Sequence, residues 1–241
     1  MSFLDEADVE LDALDVLRDI GWNTRFGPDI SKGCDDPNQC ERDQFDEVLL
    51  VGRLRAAIRR LNPSVSDELV EQAVRELFRA ESQNLMVENL RTHKLLINGC
   101  PLEYRDDNGD TRGVRVRYID FDNPNNNDYV AVNQFAVKRG RYSRRLDVVA
   151  FINGIPIAVL ELKSPTKRWA TLKGAWRQLG TYQREFPELF APVAVQVVGD
   201  GLSATAGTVG APLQHFAPWK TINSETLVTE EMTGLQILLR G

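Results

Sequence analysis

The chain has 241 residues, 42% hydrophobic content and a formal net charge of -6, enough for one large domain or two small ones. No apolar run reaches the ~18 residues of a membrane-spanning helix, and the acidic N-terminus is no basic-then-apolar signal segment, so a cytoplasmic protein with no membrane partner is expected. Cys34, Cys40 and Cys100 are odd in number and lack CxxC spacing, and His93 and His215 stand far apart, which predicts neither a zinc site nor a disulfide framework.

Residues 9–20 place Val9, Ala13, Val16, Leu17 and Ile20 on one helical stripe, with Gly21 suited to close it. A loop rich in Gly, Asp, Asn and Pro follows over 27–44. Residues 45–61 predict a helix halted by Pro63. Ser66 with Asp67 and Glu68 behind it starts another, whose buried stripe is Leu69, Ala73 and Leu77. Residues 114–121 alternate and 129–137 are strand-like. Residues 148–152 and 155–160 are almost wholly apolar, as buried strands are, and Asn153-Gly154 between them is a strong signal for a two-residue hairpin. A helix is expected over 171–186 and a buried strand over 193–198. Residues 210–241 contain Pro212, Pro218 and Trp219, then a helical patch from Glu230, and read as a connection rather than a second core. Strand, hairpin, helix, strand predicts an α/β fold with a mixed central sheet, the helix crossing over to place a parallel strand beside the hairpin.

Asp147, Glu161 and Lys163 lie at the open end of that apolar hairpin. Burying a carboxylate without a partner costs several kcal/mol, so two of them here point to a shared cation, most suitably a hard one that prefers oxygen ligands. Lys163 would then lie beside a scissile phosphate, which outlines a metal-dependent phosphodiesterase site. A bare ExK at a strand end is ordinarily a pair of solvated charges; Asp147 after Arg144-Arg145, and Ser164-Pro165 ending the strand, narrow that reading.

Strand parity sets a condition on this site. With a two-residue turn, Ile152 pairs with Ile155, Asp147 falls opposite Leu160 and Glu161 opposite Leu146. The two carboxylates would then point to opposite faces of the sheet. A shared cation therefore requires an irregularity, either a three-residue turn with a bulge or a bulge near Asp147. Pro156 favours a disturbed ladder because it lacks an N–H.

Charge is unevenly distributed. Residues 1–47 hold fourteen Asp or Glu against four Arg or Lys, whereas residues 138–145 hold five basic residues and no acid. Residues 163–177 add Lys163, Lys167, Arg168, Lys173 and Arg177, again without an acid. Positive charge thus flanks the hairpin where a phosphate backbone would lie, against the alternative of solvated faces. Gln178 and Tyr182, four apart, share one helix face.

At these residues the chain resembles the PD-(D/E)xK nucleases and, more closely, the N-terminal nuclease domain of the R (restriction and motor) subunit of type I restriction enzymes. The resemblance runs from about Val9 to Gly241 through VELDALDVLRDIGW, LNP, IDFDNPNNNDYVAVNQFAV, RRLDVVAFINGIPIAVLELKSP, QLGTY and GTVGAPLQHFAPWK. It implies a restriction-endonuclease-like core over 1–209 with a helical insertion around 43–90, and a connector over 210–241 toward a motor region. Its activity would be Mg2+-dependent cleavage of double-stranded DNA, with Mn2+ able to substitute, in a complex with methyltransferase and specificity subunits. ATP would serve only the motor, and this chain has no GxxxxGK[ST] motif. Asp147, Glu161 and the Leu162 carbonyl would hold the metal, assisted through water by Glu10, with Glu6 its competitor one turn earlier. Lys163 would orient the attacking water and offset charge on the phosphorane. Gln178 and Tyr182 match a Q-x3-Y motif and, with Arg144, Arg145 and Lys167, would meet DNA. The competing readings are a stand-alone repair nuclease or resolvase, and a non-catalytic docking module of a restriction complex.

Overall fold

The computed structural model describes residues 5–164, 172–200, 202–222 and 232–241. Helix α1 (Glu6–Asp19) begins ahead of its apolar stripe because Asp5 caps it. The Asp5 side chain accepts from the Asp8 N–H, and the Asp8 side chain from the Asp5 N–H, both at 2.9 Å. Gly21, at φ 96°, ends the helix as expected. Strand β1 (Asn23–Phe26) and the short α2 (Gly27–Ile30) follow.

The helix expected over 45–61 begins only at Val51, as α3 (Val51–Leu61). Val48, Leu49 and Leu50 are consecutive and all buried, which a helix with one apolar stripe could not achieve. They run irregularly instead. The Leu50 N–H donates to the Gly154 carbonyl at 2.9 Å, and the buried Arg42 guanidinium donates to the carbonyls of Phe45, Glu47 and Ala136 at 2.8–3.0 Å. Helix α4 (Asp67–Phe78) is capped by Ser66 as expected. Helix α5 (Leu85–Asn98) has a weak sequence signal, since Met86, Val87, Leu90 and Ile97 are exposed while Glu88 and Thr92 are buried. The disulfide expectation is corrected: Cys34 and Cys40 are bonded, closing the loop before Arg42, while Cys100 is free and buried. Spacing of six residues carries no framework signal, so only the fold reveals the pair.

Strands β2 (Cys100–Arg105) and β3 (Thr111–Val116) form a separate two-stranded sheet. The alternation over 114–121 therefore continues past its strand, where the buried Tyr118 donates its hydroxyl to the Ala73 carbonyl at 2.6 Å. The central sheet has six strands in the order β1, β4 (Tyr129–Arg139), β5 (Tyr142–Ile152), β6 (Ile155–Leu162), β7 (Val195–Gly199), β8 (Ala204–Gly207). It is mixed: β1 with β4 and β6 with β7 are parallel, the other neighbours antiparallel. Helix α6 (Leu172–Glu185) and the short α7 (Pro187–Phe190) cross between β6 and β7. One face of the sheet packs in the larger core with Leu54, Val70 and Leu179 of α3, α4 and α6. The other packs against α1 and against α8 (Gly234–Arg240), whose Leu235 is buried and whose Arg240 pairs with Asp19 at 2.9 Å. This is the expected α/β architecture, a mixed sheet flanked by helices.

Candidate active site at the open end of the central hairpin

The turn between β5 and β6 is the two-residue one, with Asn153 at φ 53° and Gly154 at φ 79°. Glycine is required at 154, where a Cβ would lie 2.4 Å from the Leu50 carbonyl oxygen. Asn153 is fully buried and donates to the Tyr118 carbonyl and the Asn127 side chain, both at 2.8 Å. Both expected irregularities, a three-residue turn and a bulge near Asp147, are thus corrected: the register shift lies beside Pro156, close to the turn. Phe151 pairs with Pro156 and Ala150 with Ala158, which leaves Ile157 as a bulge. Beyond it Val149 pairs with Val159 and Val148 with Leu160, one step out of the regular register. That single step brings Asp147 opposite Glu161.

There the ladder ends. The Leu162 N–H donates to Asp147 Oδ2 at 2.7 Å, so a side chain closes the gap where the strands part. On the other side β6 is held by β7, the Lys163 N–H donating to the Gly199 carbonyl at 2.8 Å. Glu161 is fully buried; its Oε1 accepts from the Lys163 ammonium, and its Oε2 has no hydrogen-bond partner among the described residues. Glu6 Oε1 lies 4.0 Å from the same ammonium. Asp147 and Glu161 are within hydrogen-bonding reach of one another, so the pair is served either by a proton held between them or by a cation.

Burial and then Asp147 push the Glu161 carboxyl up to about 8. Burial likewise raises Asp147, against the Leu162 amide and Lys163, which favour its ionised form. Burial works against the Lys163 ammonium, but Glu161 and Asp147 outweigh it and raise the amine. Lys163 is thereby kept charged, which suits an electrostatic role better than that of a general base. The site joins two carboxylate donors, one oxygen unpartnered among the described residues, with an adjoining cation. That donor chemistry fits a hard divalent ion.

Tyr182 is buried on α6, and burial followed by the nearby Glu161 pushes its hydroxyl up to about 12. Gln178 donates its amide to that hydroxyl at 2.5 Å, so the helix presents the two side chains as one unit. Arg144 donates to Glu185 at 2.9 Å, tying β5 to α6, whereas Arg145 is exposed. Lys167 lies outside the described residues. Glu10 faces the site from α1, where it is 6% exposed and accepts from Gln134 Nε2 with both carboxylate oxygens at 2.7 Å. Gln134 escapes sequence reasoning, although Asn133-Gln134 is a polar pair inside the otherwise apolar run 129–137.

Architecture and site together define a chain of the restriction-endonuclease-like class. The family described as type I restriction enzyme R protein N terminus matches residues 3–215, and the chain belongs to that family. It is 34% identical over 223 residues to the type I restriction enzyme HindI endonuclease subunit of Haemophilus influenzae, covering 92% of this chain and 21% of that protein. It is 32% identical over 221 residues to a putative type I restriction enzyme MjaIXP endonuclease subunit of Methanocaldococcus jannaschii, covering 90% of this chain and 20% of that protein. The chain therefore spans about a fifth of these relatives. No helix among the described residues is long and apolar enough to cross a membrane.

Proposed function

We propose that this chain is the Mg2+-dependent, DNA-cleaving portion of a type I restriction complex, with Asp147, Glu161 and Lys163 as its catalytic residues. One observation carries the reading: a fully buried Glu161, set opposite Asp147 by the Ile157 bulge, has one oxygen on Lys163 and the other without a hydrogen-bond partner among the described residues. A pair of carboxylates so placed is costly unless a cation or a proton serves it.

Asp147 and Glu161 would hold Mg2+, or Mn2+ in its stead, with the Leu162 carbonyl. Such an ion, when bound, would supply an acidified water and polarise the phosphate. Lys163, kept charged by Glu161, steadies the non-bridging phosphate oxygens and the water in line with the scissile bond. Asp147 would do two jobs, since the Leu162 N–H fixes its Oδ2 and so orients the carboxylate that would hold the ion. Gln178 and Tyr182 support the Glu161 side of the site, and exposed Arg145, with Arg144 and Lys167, would meet the backbone of double-stranded DNA. Residues 1–209 would form the nuclease domain with its helical insertion around 43–90, joined by α8 on the same sheet, and the 210–241 segment would lead on toward a motor that uses ATP. The methyltransferase and specificity subunits supply modification and the DNA address, and the assembly works on DNA in the cytoplasm.

The test is plasmid cleavage by the full-length subunit in its complex, measured beside ATP turnover. Asp147→Ala, Glu161→Ala and Lys163→Ala each abolish cleavage and leave ATP turnover intact. Normal cleavage by the Asp147 variant would overturn the assignment.

A further inference from the structure

Strand β4 changes phase opposite the site. Val130 and Val132 pack in the larger core, and so do Phe135 and Val137, so the alternation slips by one residue between Val132 and Phe135. Strand β5 slips at the matching place: Leu146, Val149 and Phe151 all enter that core, while Val148 enters the smaller one. The pairs Asn133 with Val148 and Phe135 with Leu146 leave Gln134 and Asp147 facing each other at the slip. Gln134 has φ 53°, a left-handed conformation that a non-glycine residue adopts at a cost. Its surroundings are shaped to hold it, since a Cβ at Gly27 would come within 2.4 Å of the Gln134 carbonyl oxygen.

The kink has a visible product. It directs the Gln134 amide out of the strand's regular alternation and onto Glu10, both of whose oxygens accept from Nε2 at 2.7 Å. Asn133 adjoins the same carboxylate, and Glu10 is close enough to Asp147 to feel its charge. A buried acid on α1 is thereby fixed in orientation by the residue opposite Asp147. A surface helix acid needs no such support.

We propose that Gln134 is a positioning residue that holds the Glu10 carboxylate beside Asp147, so that a cation on Asp147 and Glu161 is served by a third, water-mediated carboxylate. This rests on the metal-site reading above. Partners that orient a ligand typically contribute about 10–100-fold in metal affinity.

The probe is Mn2+, titrated calorimetrically into the 241-residue chain, with thermal melts in parallel. Gln134→Gly is the informative variant, because glycine accepts the left-handed conformation while removing the amide. It lowers Mn2+ affinity about tenfold, and so does Glu10→Gln, which keeps the volume and the hydrogen bonding of α1. The double variant binds no more weakly than Glu10→Gln alone, since Gln134 acts through Glu10. Unchanged affinity in either single variant overturns the proposal, as does a double variant whose losses multiply to about a hundredfold. The two readings fail differently. Saturable binding that Glu161→Gln abolishes and Gln134→Gly leaves intact removes the positioning role alone, whereas binding that survives Glu161→Gln removes the metal site and this proposal with it.

Discussion

Glu161→Gln should flatten the pH dependence of stability in the metal-free protein. Burial, then the Asp147 charge, raises the Glu161 carboxyl from its ordinary 4.5 to about 8. The folded chain therefore binds a proton more tightly than the unfolded chain does. Stability from this group is fully present below about 4.5 and is lost as pH rises toward about 8. A rise of that size corresponds to at most about 5 kcal/mol, and half of it would lower the melting temperature by roughly 5–10 °C in a chain of this length. Raised Asp147 and Glu10 add slope of the same sign, so the variant retains some. Lys163, raised above 10.5, stays charged throughout this range, and the lowered Glu71 and Asp106 lose their contribution only below it. Thermal melts at half-unit steps from pH 4.5 to 8.5, with chelator present, give the two slopes. Equal slopes for wild type and variant would refute the reasoning, as would a wild type more stable at pH 8 than at pH 5.

Gln178→Ala removes the amide from the Tyr182 hydroxyl without touching a carboxylate, so DNA cleavage by the intact complex falls while Mg2+ affinity, read by calorimetry, stays within about threefold. Asn153→Ala strips a fully buried turn residue of its bonds to Tyr118, Asn127 and Asp128, and costs about 3 kcal/mol in denaturant unfolding; a cost below about 1 kcal/mol would contradict its role. Gly154→Ala meets the Leu50 carbonyl as well as a left-handed φ, and should destabilise the chain at least as much by the same assay.

The elements with strong periodicity were legible in the sequence: α1 with its closing glycine, α4 with its serine cap, the apolar hairpin and its Asn-Gly turn. What escaped was set by contacts distant in sequence. Residues 48–50 look helical by composition but are pulled into an irregular buried run by Arg42 and by the Gly154 carbonyl. Helix α5 inverts the usual pattern, burying Glu88, which pairs with Arg91 at 2.8 Å, while exposing Leu90 and Ile97. The Cys34–Cys40 bond depends on how the loop folds back on Ile30 and Ser31, which spacing does not encode.

The candidate site was legible by a different route, from a contradiction. Regular pairing across Asn153-Gly154 places Asp147 and Glu161 on opposite faces, and only a departure from regularity lets them meet. Pro156 signalled that departure because it cannot donate to the ladder, and the bulge falls on the next residue. A bulge is usually neutral for the strands that carry it, but here it sets the parity of everything between it and the open end, where β5 and β6 part around Asp147. The same logic runs along β4, where the slip at Gln134 turns a polar side chain toward Glu10. Each irregularity costs the sheet local pairing or backbone strain, and each delivers a polar side chain to the same few ångströms of the molecule. A sheet selected for stability alone would remove them, since Gln134→Gly relieves a strained backbone. Their convergence on Asp147 is therefore the strongest reason to place the chemistry at this end of the hairpin rather than at the turn.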